Sequence, residues 1–315
     1  MAQRRSFFSL VILMVVFGVL VGIYLLTMKP AGAQKQPKKI FSWKADEIME
    51  ISRWVNLTNG RELTTFVQTN GEWMLSFPLV DRVHPELFHR LLDTLAKLTS
   101  EEMFIVTNES EWASFGFSPY QYRFVVKNVS NEVCTIDVGN VSVGKNYYYV
   151  RVNNSSTNYQ VYTFNLIDLL QPQGNYRWPD IFDIPFDRVE RVVFTFEGKQ
   201  VVELSNGNVW YMVYPQYVAL SNYAVKSLLL DFYPLQADHF VSVDLSLPTL
   251  RKYGLVSSVY GVVFIGDGRS NTLFVGSKGE EGFLYAYSRE RQGVFAVSES
   301  EVVSKWITQA SQLRR

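Results

Sequence analysis

Asn70-Gly71-Glu72-Trp73-Met74-Leu75-Ser76-Phe77-Pro78 and Asn206-Gly207-Asn208-Val209-Trp210-Tyr211-Met212-Val213-Tyr214-Pro215 are two spellings of one phrase. Each has an Asn-Gly turn, then a tryptophan, three residues, an aromatic and a proline. The two tryptophans stand about 137 positions apart. At the same offset Leu91-Leu92 answers to Leu228-Leu229, Leu98 to Leu235, Val138-Gly139 to Val275-Gly276 and Tyr148 to Tyr285, with Phe115-Gly116 meeting Tyr253-Gly254 within one position. Agreement of so many residue types at one spacing is the mark of an internal repeat, so the chain reads as one module written twice.

Working outward from the phrase, each copy opens with three strands separated by turn residues: Ile48 to Val55, Glu62 to Gln68 and Glu72 to Phe77, then Arg191 to Phe196, Gln200 to Leu204 and Val209 to Tyr214. Alternating apolar residues bounded by Asn, Gly and Pro predict strands. Leu87, Leu91, Leu95 and Leu98 recur at helical spacing and predict an amphipathic helix lying on the sheet. Strands near Tyr122 to Val129, Glu132 to Val138, Tyr147 to Val152 and Gln160 to Phe164 follow, then a short helix around Leu166 to Leu170, with its second-copy counterpart at Ser298 to Ile307. The expected class is α+β: a tandem duplication of a mostly antiparallel β module, with one long and one short helix in each copy. The modules are expected over 41–184 and 185–315. Pro172, Trp178, Pro179 and Phe182 in the segment between them predict that it packs rather than dangles.

Ahead of the modules, Arg4 and Arg5 precede an apolar run from Phe7 to Met28, long enough at 1.5 Å per residue to cross a bilayer core of ~30 Å. Residues 1–28 are therefore expected to form a short tail and a transmembrane anchor, and 29–40, rich in Lys, Gln and Pro, a tether. A cleaved signal peptide is the rival reading, because Ala31-Gly32-Ala33 has the small-x-small form of a cleavage site. Lysines follow the span as well as arginines preceding it, so charge alone leaves the orientation open.

The 30 Lys plus Arg balance the 30 Asp plus Glu, which removes any global field for nucleic acid, and no nucleic-acid partner is expected. A single cysteine, Cys134, rules out an intramolecular disulfide and a cysteine-based zinc site. It sits in an alternating strand and reads as a packing residue. His89 and Asp93 share a helix face at four-residue spacing, but no third ligand lies near in sequence, so no metal is expected. Gly266-Asp267-Gly268 reads as a hairpin turn rather than a dinucleotide loop. No Gly-x-Ser-x-Gly, His-Glu-x-x-His or phosphate-loop lysine motif occurs, so neither catalysis nor a cofactor is expected. The one candidate ligand-binding cluster is Tyr147, Tyr148 and Arg151, whose rings and guanidinium suit a sugar or peptide, although alternate residues of a strand face opposite ways.

Phe41 to Trp43, Gly71-x-Trp73, the leucine helix, Phe115-Gly116, Val138-Gly139 and Tyr148 to Arg151 resemble, in that order, the bacterial family known as domain of unknown function 4340. The second copy departs from it in having Ala286 to Ser288 where the first has Tyr149 to Arg151. The resemblance implies a single amino-terminal span with the bulk of the chain outside the inner membrane. It further implies an accessory or scaffold role in membrane transport systems related to gliding-motility transporters, with no assigned catalytic residue. The expectation is thus a non-enzymatic envelope protein with protein partners in an inner-membrane transport complex. The alternative is a glycan- or peptide-binding module, and a hydrolase ranks last.

Overall fold

The computed structural model describes residues 14–22, 37–58, 60–100, 102–256 and 260–299. The first sheet takes β1 (Ile48–Leu57), β2 (Gly60–Thr69), β3 (Glu72–Phe77), β4 (Asp81–Arg82), β5 (Glu102–Ile105), β6 (Tyr122–Asn128), β7 (Val133–Val141), β8 (Tyr147–Val152) and β9 (Thr157–Tyr162). The helices α1 (Pro85–Ala96) and α2 (Glu109–Trp112) flank β5 in sequence. The second sheet takes β10 (Arg191–Phe196), β11 (Lys199–Asn206), β12 (Trp210–Tyr214), β13 (Val218–Ala219), β14 (His239–Ser242), β15 (Tyr260–Gly266), β16 (Arg269–Glu280), β17 (Phe283–Ser288) and β18 (Gly293–Ser298). Here α3 (Asn222–Leu230) and α4 (Leu247–Lys252) flank β14.

Among the described residues these strands form two nine-stranded sheets, in the orders β4-β3-β2-β1-β6-β7-β8-β9-β5 and β13-β12-β11-β10-β15-β16-β17-β18-β14. Numbered from its own first strand, each sheet runs 4-3-2-1-6-7-8-9-5. The named pairings are antiparallel in both. The fifth strand of each reaches the far edge only because a helix carries the chain across one face of the sheet.

That face is where the cores sit. In β6 and β7, Phe124, Val126, Cys134, Ile136 and Val138 alternate inward at period two, as the pleat requires. Against them α1 lays Leu87, Phe88, Leu91, Leu92 and Leu95, all buried. The helix forms here because Pro85 takes the first turn, where no amide donor is needed, and His84 caps it by accepting from the Leu87 amide. Each buried Leu or Phe contributes roughly 1.5–3 kcal/mol of transfer free energy, so this stripe outweighs the weak local propensities. Leu98 and Leu235, just beyond the two helices, are both buried.

The Phe-Gly and Val-Gly elements have a steric origin. Gly116 and Gly254 turn at φ +75° and +71°, and each presses its backbone onto the strand glycine of its own module. A Cβ on Gly139 would meet the Phe115 carbonyl, and one on Gly276 would lie 2.7 Å from the Gly254 carbonyl. The Asn-Gly turns are less alike. Asn70-Gly71 closes a two-residue turn with both φ positive, whereas Gly207 to Val209 make a three-residue connection in which the Gly207 amide donates to the Val209 carbonyl. Asp267-Gly268 is a two-residue hairpin turn, as expected.

Short edge strands and the helices α2 and α4 were not legible in the hydrophobic pattern. The expected helix after β9 is a 3₁₀ turn, Thr163–Leu166, that buries Leu166. Its second-copy counterpart at 298–307 lies largely outside the described residues. So do most of the expected span and tether. Residues 14–22 are helical, and among the described residues no helix is long and apolar enough to cross a membrane. At the end of the tether, Lys38–Lys39 pairs with Thr99–Ser100, and Phe41 enters the first core.

Gly139→Ala and Gly276→Ala should each destabilise the protein by about 1–3 kcal/mol through overpacking. Gly207→Ala, whose Cβ would meet nothing closer than 3.8 Å, should be near neutral; urea unfolding of the three variants makes the comparison.

Candidate functional site at the seam of the two modules

The segment from Gln171 to Asp187 belongs to both halves. Tyr176 is fully buried in the first core, edge-on to Phe66, with its hydroxyl donating to the Asp168 carbonyl at 2.6 Å. Burial pushes its phenol far above the ordinary tyrosine range. A few residues on, Ile181, Phe182 and Ile184 enter the second core, with Phe182 4.6 Å from Phe264. Asn271 then clamps the segment, accepting from the Asp183 and Ile184 amides at 3.0 Å.

Between these two anchors lies a buried charge cluster. Asp81, on the two-residue strand β4, receives Arg177 Nε at 2.7 Å and Arg291 Nη2 at 3.1 Å on one carboxylate oxygen. Arg177 also donates to the Arg291 carbonyl, and Arg291 donates to the Trp178 and Asp180 carbonyls. The Arg177 guanidinium lies over Phe240, 3.7 Å from the ring centroid. Burial depresses the Arg177 pKa against the opposing pull of Asp81. The cluster therefore joins the first module, the connecting segment and the second module through links that span 96 positions from Arg177 to Asp81, 114 from Arg177 to Arg291 and 210 from Arg291 to Asp81. None of this is visible as a local motif.

Two cavities flank the cluster. One, of about 440 Å³, is lined by His84, Asn175, Arg177, Gln236 and Phe240 among others. The other, of about 520 Å³, is walled by Trp73, Phe88 and Trp178, with Glu72, Arg82 and His89 around it.

The expected cluster of Tyr147, Tyr148 and Arg151 is not one site. Tyr148 turns toward the helix-covered core, and burial raises its pKa. Tyr147 packs on Tyr162 at 4.5 Å. Arg151 is 3% exposed, donates to Asp137 at 2.8 Å and lies 4.4 Å from the Trp112 ring, sharing Asp137 with Arg123. Strand pairing aligns Asp137–Arg151 with Phe274–Tyr287, which stack at 4.8 Å. It also aligns Tyr285 with Tyr149, one position from the counterpart that the sequence offset suggests.

His89 is exposed, and Asp93 pairs with Lys97 at 2.7 Å, which lowers its pKa. Among the described residues no three His, Cys, Asp or Glu side chains gather as metal ligands. His239 escaped the sequence reading: its ring nitrogens lie 2.7 and 2.8 Å from Asp238 and Glu280. Only the first neighbour is adjacent in the chain.

The model of the family described as domain of unknown function (DUF4340) matches residues 73–255, from strand β3 to the turn just after α4. The chain belongs to this family. No curated protein and no solved structure matches it. Within this DUF4340 chain the matched region holds Trp73, Asp81, Arg177 and Trp178, while Glu72 of the cleft and Arg291 of the seam fall beyond it.

Replacing Asp81 by Ala leaves two guanidiniums buried without their shared carboxylate and should cost about 3–5 kcal/mol in urea unfolding. The same variant should become sensitive to trypsin within 171–187. Burial pushes the Cys134 thiol up to about 11, so at pH 8 the native protein should react with a maleimide on the order of a hundredfold more slowly than the urea-unfolded chain.

Proposed function

We propose that this chain is a non-enzymatic, single-pass membrane-anchored extracytoplasmic protein that serves as an accessory or scaffold component of an inner-membrane transport complex. Its folded part is, in this reading, a tandem duplication of one α+β module. The observation that carries the proposal is the strand order 4-3-2-1-6-7-8-9-5, occurring twice and joined across a buried ionic seam. Chance production of one nine-strand order in both halves is remote, and the repeated residue pairs in the sequence point the same way.

With Asp81, Arg177 and Arg291 joining the two sheets, β5 and β13 remain as edge strands, one in each sheet. Edge strands present unpaired backbone groups that suit strand addition by a partner. On β5, Met103 and Ile105 are 59% and 72% exposed, and near β13 Tyr217 stacks on Tyr211 while itself 71% exposed. Apolar side chains on open edges are the chemistry of protein contact rather than of turnover. The apolar run Phe7 to Met28 supports the anchor, and the absence of catalytic motifs in the sequence supports the non-enzymatic role.

Photo-crosslinking residues placed at Met103 and Tyr217 in cells should trap discrete heterologous adducts in the membrane fraction, including a subunit of a transporter. Exclusively monomeric protein at both positions would reject the scaffold role. Outward placement predicts that an impermeant maleimide labels Cys134 in spheroplasts once urea has opened the fold; labelling only after the membrane is lysed would reverse the orientation.

A further inference from the structure

The two modules share a tryptophan but treat it differently. Trp210 is 8% exposed and belongs to the second core; its backbone is held by Leu220, whose amide donates to the Trp210 carbonyl, and by Asn222, whose Oδ1 accepts from the Trp210 amide at 3.2 Å. Trp73, its counterpart, is half-buried and stands at the wall of the 520 Å³ cleft. A second indole, Trp178, forms part of the same lining and comes from the connecting segment.

This second indole is fixed in place. Its amide donates to the Arg82 carbonyl at 3.0 Å, its carbonyl accepts from Arg291, and the Arg82 guanidinium lies 5.0 Å from its ring. Phe88 of α1 backs Trp73 at 4.8 Å. Glu72, Arg82 and His89 add polar groups to the lining, and Met74, Val83, Pro85 and Leu92 extend its apolar part. The Arg82 side chain is 41% exposed, and an ion pair of 3.6 Å with Asp183 orients it.

We infer that this cleft is a carbohydrate-binding site, with Trp73 and Trp178 as stacking platforms and Glu72, Arg82 and His89 as hydroxyl partners. The inference goes beyond the scaffold reading and does not depend on it. A pyranose ring has an apolar face of C–H groups, which is attracted to the negative face of an indole, and an edge of hydroxyls that both donate and accept. The lining offers the complement: flat aromatic surface, a carboxylate to accept and a guanidinium to donate. The volume falls in the ~300–1,000 Å³ range of small-ligand sites. An aliphatic peptide side chain would use the aromatic walls but leave the three polar groups without a role. Opening this one tryptophan while its repeat partner stays sealed is the kind of difference that separates a binding copy from a structural one.

The test is titration of the full-length protein in detergent with chitotetraose and maltotetraose, followed by tryptophan fluorescence and calorimetry. At least one tetrasaccharide should bind. Trp178→Ala should weaken it at least tenfold, Glu72→Gln and His89→Ala about three- to tenfold, and Trp210→Phe, in the sealed site, less than twofold. Glu72 and His89 are exposed, so those two variants keep the test decisive even if Trp178→Ala disturbs the seam. Failure of both tetrasaccharides to bind overturns the assignment. So does binding that is unchanged in Trp178→Ala, Glu72→Gln and His89→Ala, or a leucine-rich peptide occupying the cleft where the saccharides do not.

Discussion

One carboxylate oxygen holds the two halves of this protein together. Asp81 sits 8% exposed between two guanidiniums that are themselves buried. Removing three charged groups from water costs several kcal/mol apiece, which only close hydrogen bonds to the carboxylate and to backbone carbonyls offset. Such an arrangement tolerates little change in relative placement, because sliding one sheet against the other would strip a guanidinium of its partners. The value of the seam therefore lies more in specifying one geometry than in adding net stability.

Tyr176 and Phe182 make the same point with apolar surface. They lie six positions apart in a segment that is neither strand nor α-helix, yet each is buried in a different core. A connecting segment that contributes to both cores is part of each fold, not a linker between finished domains. Arg177 and Trp178 fall between these two anchors, which is why a charge cluster and an aromatic wall can be held in register by an irregular stretch of chain.

Comparison of the two sheets, which share one strand order, separates backbone requirements from side-chain choices. Gly139 and Gly276 are both retained where a turn presses against a strand, and both leucine pairs of the helices are buried. On the opposite face of each sheet the chemistry differs at equivalent positions: Asp137 with Arg151 in one, Phe274 stacked on Tyr287 in the other. A salt-bridged pair under an indole and a stacked aromatic pair thus occupy equivalent cross-strand positions. Packing constrains volume and backbone approach far more tightly than it constrains residue type.

The sequence alone determined the long strands and the first helix, because each depends on periodicity or on turn residues that act within a few positions. Family membership was legible for the same reason, in Gly71-x-Trp73, Phe115-Gly116 and Val138-Gly139. Only the tertiary structure decided which side chains meet. Pairing at the sheet edges is one-sided, so β4, β5, β13 and β14 leave too short an apolar pattern to read. Tyr147, Tyr148 and Arg151 look like a cluster in the chain, but the strand's pleat sends Tyr148 to one face and the other two to the opposite face. Conversely, Asp81, Arg177 and Arg291, or Trp73 and Trp178, carry no shared signal in sequence. Their proximity arises from the folding of two sheets around a common segment, a long-range constraint that no local pattern encodes.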